Sequence, residues 1–232
     1  RMLAQEHLET QPDSTMEILA VNARMVGPVP ILRDLVRGLG PGQEIRRGGA
    51  LVAGTMGGHS GGGPVTFGAN QFDSQSSDGF LTKVSASGDY EWVTPLTGSG
   101  VVVPQSVLEV DGASFFSGSF RGEIAFDNFV EQSSSSGADY DDFVGMASSS
   151  GEVQWVTTIE GIGQPLLVPG SGNDVFLTGV FSPEARFDSH TITTNDVGIF
   201  VSKLNNAGGF EWAKTIGEAS SSYILEDAVP SK

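Results

Sequence analysis

The chain has 232 residues, with 28 acidic and 12 basic side chains and a formal net charge of −16. A surface this acidic repels phosphate backbones, so nucleic acid is not the expected partner; it favours solubility, divalent cations or a salty environment. No window approaches the roughly 18 apolar residues of a spanning helix, and the lack of cysteine excludes disulfides and thiolate metal sites.

Residues 1–47 differ from the rest. Met2, Leu3 and Leu8 could share one side of an N-terminal arm. Residues 16–25 have the apolar and β-branched content of a strand, which Pro28 and Pro30 end. Ile31, Leu32, Leu35, Val36 and Leu39 recur at helical spacing, and the spacing predicts one short helix, stopped by Gly38, Gly40, Pro41 and Gly42. Arg24, Arg33, Arg37, Arg46 and Arg47 make this part locally basic, an asymmetry that fits an intermolecular contact or chance. The chain opens on Arg1, as expected of one whose leader has been removed or of a piece of a longer protein.

From about residue 48 a repeat takes over. Its first element is an apolar strand ending in glycine: Ala50–Gly54, Ser114–Gly118 and Val175–Gly179. Its second carries Phe67, Phe126 or Phe187 and leads into a polar loop. Phe67 to Phe80 is 13 positions, Phe126 to Phe143 is 17 and Phe187 to Phe200 is 13. Length variation confined to one loop is what stacked repeats show. The third element starts at Phe80, Phe143 and Phe200. Gly88, Gly151 and Gly208 each follow 8 positions later in hairpin-turn composition. Trp92, Trp155 and Trp212 lie 12 positions after the same Phe residues and account for every Trp in the chain. Strand alternation predicts Tyr90 with Trp92, Val153 with Trp155 and Phe210 with Trp212 on one face. Residues 101–110 and 165–168 read as linking strands, and 222–229 as the opening strand of a further unit.

These spacings divide the chain into an arm or partial blade over 1–47, repeats over 48–100, 101–163 and 164–217, and a further strand or blade starting in 218–232. A period near 60 with about four short strands predicts an all-β, propeller-like fold of antiparallel four-stranded blades. The two termini could combine into a fourth blade; an open stack, part of a larger ring and a two-sheet β-sandwich are the alternatives.

The pattern resembles the bacterial β-propeller repeat called SBBP over about residues 48–217. Asp78-Gly79-Phe80-Leu81-Thr82-Lys83-Val84 and Ile199-Phe200-Val201-Ser202-Lys203-Leu204 carry the likeness. The second copy departs with Met146 at the lysine position, and the third has Val197-Gly198 where an Asp is expected. The resemblance implies blades and an extracellular or cell-surface setting in bacteria, since such repeats occur in large surface and secreted proteins. It implies no activity.

Chemistry is hard to locate. His7, His59 and His190 show no metal-ligand spacing. His59 sits in a glycine run without the Gly-Lys-Ser/Thr of a phosphate loop, and no nucleophile elbow is present. Asp139, Asp141 and Asp142 form the one candidate metal site, oxygen ligands suited to Ca²⁺, although the spacing is not an EF-hand loop and a solvated acidic loop is the plainer reading. Asp78 and Asp196 occupy comparable loops. No catalytic residue and no cofactor is assigned, and the Phe, Gly and Trp positions are read as structural anchors.

The expected function is a non-enzymatic extracellular structural protein, a self-associating subunit of a surface layer, fibre or appendage, with the N-terminal arm as an inter-subunit contact and a homo-oligomer or polymer as its state. The alternative is a glycan- or protein-binding propeller module using loops 55–66 and 127–142. An enzyme would need a convergent axial pocket that nothing in the sequence announces.

Overall fold

The computed structural model describes residues 23–25, 49–56, 63–74, 77–133 and 140–219. The helix expected over 31–39, most of the N-terminal arm, the strand expected over 222–229, His7, His59 and Asp139 lie outside them. The described residues are all-β, in antiparallel sheets apart from one parallel pair and one isolated parallel bridge, and contain no helix.

The first unit holds β2 (Ala50–Met56), the hairpin β3 (Gly63–Phe67) and β4 (Asn70–Ser74), β5 (Asp78–Val84) and β6 (Tyr90–Gly98). The second holds β7 (Val101–Val110), β8 (Ala113–Arg121), the hairpin β9 (Glu123–Phe126) and β10 (Phe129–Gln132), β11 (Asp141–Ala147) and the first half of β12 (Val153–Pro169). The third uses the second half of β12, then β13 (Val175–Phe187), β14 (His190–Thr193), β15 (Val197–Leu204) and β16 (Phe210–Ala219). A short β1 (Ala23–Met25) pairs parallel to β2.

One order of pairing recurs. β7, β8, β11 and β12 are neighbours in that order, and so are β12, β13, β15 and β16, with β1, β2, β5 and β6 alike in the first unit. Residues 101–110 and 165–168, read above as links, are therefore full ladder members that open the sheets of units 2 and 3. β12 serves twice, with register shifts along it: residues 153–159 pair with β11 of the second unit and residues 160–169 with β13 of the third. The described strands form no closed barrel or ring.

The polar stretch after each repeat Phe begins with a strand rather than a loop. Phe67, Phe126 and Phe187 each pair across a two-residue turn, with Asn70, Phe129 and His190. The first turn residue has positive φ in all three: Gly68 at 61°, Asp127 at 52° and Asp188 at 51°. Glycine and aspartate are among the residues that enter this region most cheaply. Each Phe plugs its own unit, its ring centroid 4.8 to 5.4 Å from Phe80, Phe143 or Phe200.

A β-bulge corrects the predicted alternation. Lys83 pairs with Trp92 and Val84 with Tyr90, leaving Glu91 as the extra residue; Gln154 and Glu211 repeat this. Consecutive residues 83 and 84 face opposite ways, so their partners Trp92 and Tyr90 do too. Tyr90 packs on the cluster around Phe67 and Phe80, whereas Trp92 packs on the cluster shared with unit 2. The aromatic pair thus supplies both faces of one sheet.

Candidate functional site

The three apolar clusters map onto sheet faces. One joins Leu51, Leu81 and Leu96 of unit 1 to Phe116, Phe126 and Phe143 of unit 2. Another joins Phe115, Val144 and Ile159 of unit 2 to Phe181, Phe187 and Phe200 of unit 3. The last lies on the leading face of unit 1, around Val52, Phe67 and Phe80. The junctions between units are where these residues gather, and the same parts build both.

Trp92 Nε1 donates to the Ser149 carbonyl at 3.0 Å, and Trp155 Nε1 to the Asn206 carbonyl at 3.2 Å. Two residues on, Thr94 Oγ1 donates to the Gly151 carbonyl at 2.5 Å and Thr157 Oγ1 to the Gly208 carbonyl at 2.8 Å. Each indole therefore caps the glycine turn of the following unit. Those turns need glycine twice over. Gly151 and Gly208 have φ of +86° and +87°, and a Cβ there would stand 2.6 and 2.7 Å from the ring carbons of Trp92 and Trp155. Gly88 has the same φ, +86°, but a Cβ on it meets nothing within 4 Å.

The hairpins complete each junction. β9 pairs with β6, Thr97 opposite Ala125 and Gly98 opposite Ile124, and the end of β13 pairs with β12 at Arg186 and Glu160. The aspartates at the hairpin turns hold the bulged strands: Asp127 Oδ2 accepts from Val153 N–H at 3.0 Å and Asp188 Oδ2 from Phe210 N–H at 2.9 Å. The hairpin β3–β4, by contrast, makes a two-stranded sheet by itself.

Polar groups at the junctions differ more. Lys83 Nζ donates to Glu109 Oε1 at 3.3 Å and stands 3.1 Å from Oε2, both side chains being nearly buried. Met146 takes the lysine's place beside the second cluster. Lys203 reaches Asp174 and Glu211 of its own unit instead, at 2.9 and 3.2 Å.

Asp141 and Asp142 are both buried and adjacent on β11, which sends them to opposite faces. Asp142 Oδ1 accepts from Ser119 Oγ at 2.5 Å, and Ser119 accepts from Gln105 Nε2 at 2.9 Å. Burial pushes the Asp142 carboxyl up to about 7 against the pull of the Ser119 bond, with the nearby Asp141 charge adding to the rise. Asp78, at the register position of Asp141, is buried and tied to Ser74 Oγ at 2.9 Å and to Gly98 N–H at 3.2 Å. Among the described residues no three His, Asp or Glu side chains converge. His190 begins β14 and meets the Phe210 carbonyl at 3.2 Å; Asp196 is exposed.

Sequence spacing located the Phe, Gly and Trp anchors but not their partners. The signal that was present, Thr94 and Thr157 each two residues after a Trp, says nothing of which turn it reaches. No protein-family model and no curated protein matches the chain.

Proposed function

We propose that the chain is a non-enzymatic structural protein of the bacterial cell exterior, a subunit that self-associates into a layer, fibre or appendage. One observation carries this reading: a junction of fixed parts is built twice, and on the third unit the tryptophan-bearing half, which the upstream unit supplies in each junction, meets no glycine turn among the described residues. Leu51 and Phe115 are buried where Phe176 is only partly buried, and Leu81 and Val144 are buried where Val201 is only partly buried. Leu96 and Ile159 are 0% and 1% exposed, whereas Ile216 is 63% exposed. Uncovered apolar faces of this kind mark interaction surfaces.

The finer architecture belongs to the same proposal. A strand that closes one four-stranded sheet and opens the next, as β12 does, supports a bladed arrangement like that of the SBBP repeat. The basic composition of residues 24–47 contrasts with an acidic remainder, which supports the arm as a second contact between subunits. Light scattering after size exclusion, over a wide range of concentrations, tests the reading. A mass that grows with concentration, with polymer visible by electron microscopy, is expected; a single-chain mass throughout overturns it.

A further inference from the structure

The structural reading above says that copies associate, and on that basis the geometry points to how. We infer that the trailing face of unit 3 docks on the leading rim of unit 1 in a second copy, with Trp212 capping the Ser85–Asp89 turn. The two internal junctions specify what such a contact requires: on unit 3 the trailing apolar face is partly uncovered, and on unit 1 the glycine turn of the rim is open, although Val52, Phe67 and Phe80 behind it are already buried.

At the trailing end, Trp212 stands where Trp92 and Trp155 stand, but its indole N–H has no partner among the described residues. Its ring meets only Phe176, at 5.9 Å, and Lys214 of its own strand, whose Nζ lies 5.3 Å from the centroid. Among the described residues β16 ends the order of its sheet and pairs with β15 alone. Phe176 and Val201 stand beside Trp212 at positions that are buried in both internal copies, and Ile216, the extra residue of a bulge, is exposed further along the same strand.

At the leading end, the turn has the internal geometry and none of its cover. Ser85 N–H donates to the Asp89 carbonyl at 2.8 Å and Gly88 N–H to the Ser85 carbonyl at 2.9 Å. Ser148 to Glu152 and Gly151 to Ser148 repeat both bonds at 2.9 Å. The space beside Gly88 that an indole fills at Gly151 and Gly208 is open. β3–β4, whose counterparts both pair with the preceding unit, pairs with no other sheet among the described residues.

The two ends also match in charge. Lys214 replaces Thr94 and Thr157 at the position that donates to the turn carbonyl, and a lysine can make the same donation. The leading turn offers exposed Asp89 beside that carbonyl, where unit 3 has Gly209. A lysine on an edge strand ordinarily repels further strands, as does the bulge that sets Ile216 between Thr215 and Gly217 in β16. Facing Asp89, the lysine becomes selective: it admits a leading turn and rejects an unrelated edge. A contact between two different surfaces is heterologous, so it propagates into an open filament or closes into a ring.

Blocked ends test this. Gly88→Asn keeps a residue that tolerates positive φ but puts a Cβ where the indole must sit, and the open space lets the variant fold. Trp212→Ala removes the cap; if it lowers the melting temperature, Ile216→Glu, already at an exposed site, blocks the same end. Each variant alone is expected to weaken assembly at least about 30-fold, the loss typical of a tryptophan hot spot. Mixed, the two variants should form one-to-one dimers, because each retains the end the other lacks. Variants that polymerise as the wild type does, or a mixture of folded variants that stays monomeric, overturn this docking and leave self-association standing. A wild type that is monomeric at every concentration, as when the termini fill the junction within one chain, removes both readings.

Discussion

Units 1 and 2 are joined differently from units 2 and 3 by backbone and alike by side chains. Between the first pair, β6 ends at Gly98, the chain turns through Ser99 and Gly100, and β7 begins in another sheet. Between the second pair, β12 runs unbroken through 17 residues and keeps both units in one sheet. Yet the tryptophan caps the glycine turn, the threonine bonds its carbonyl and the hairpin docks on the preceding strand in both. Glycine recurs at the hairpin contact as well: a Cβ on Gly98 or Gly161 would lie 2.1 Å from the carbonyl oxygen of Glu123 or Glu184. Chain continuity is thus incidental to the junction, and a junction between separate chains asks for nothing new.

If so, matched substitutions should cost the same at both junctions and little at the free ends. The largest effect is expected from Trp92→Ala and Trp155→Ala, each lowering stability by about 2–4 kcal/mol in urea unfolding followed by circular dichroism. Trp212→Ala should cost under about 1 kcal/mol in the dilute, unassociated chain. A loss at Trp212 equal to the others would mean that something within the chain already covers it.

Glycine substitutions divide similarly. Gly151→Ala and Gly208→Ala meet both the left-handed backbone and the indole, and about 2–3 kcal/mol is expected for each, against about 1 kcal/mol for Gly88→Ala, which meets the backbone cost alone. Thermal melts of the three variants decide it; equal losses would sink the distinction.

The Asp142 carboxyl sharpens a different contrast, since unit 1 has Gly79 at this register. Its raised folded pKa means that between the ordinary carboxylate range and about 7 the folded chain holds a proton the unfolded chain has released. Stability therefore falls as pH rises through that window. Asp142→Asn should remove the fall, gaining about 1–3 kcal/mol over the wild type at pH 8 and nothing at pH 4. The same difference at both pH values would show that the carboxyl does not titrate there.

Among substitutions at the junctions themselves, the smallest effects belong to Thr94→Val and Thr157→Val. Each leaves a glycine carbonyl without its donor, at about 1 kcal/mol. A clear inequality between the two would break the equivalence of the junctions.

The offsets from Phe to Gly to Trp announced the hairpins because a turn with one obligatory left-handed residue leaves a fixed mark. The return strands β4, β10 and β14 left none. Asn70-Gln71-Phe72-Asp73-Ser74 is too polar to show a buried face, and a Gly-Ala, Asp-Asn or Asp-Ser pair is ordinary loop composition. The bulge at Glu91, Gln154 and Glu211 reversed the inferred face of Tyr90 against Trp92, because period-two reasoning assumes an unbroken ladder. Which turn each tryptophan reaches was invisible, since the partners lie 57 and 51 residues apart. Asp141 and Asp142 looked like exposed ligands from their acidic neighbours, whereas the strand they begin takes both inside.

β12 has a consequence for how such a chain could lengthen. Because one strand pairs with two units, the boundary between units is the wrong place to cut. A segment running from one glycine turn to the next, from Asp89 to Gly151 or from Glu152 to Gly208, contains a tryptophan and the turn that the tryptophan caps. Duplicating it would copy a whole coupling in a single genetic event, with both partners already matched. The inheritable module is therefore out of phase with the folded one.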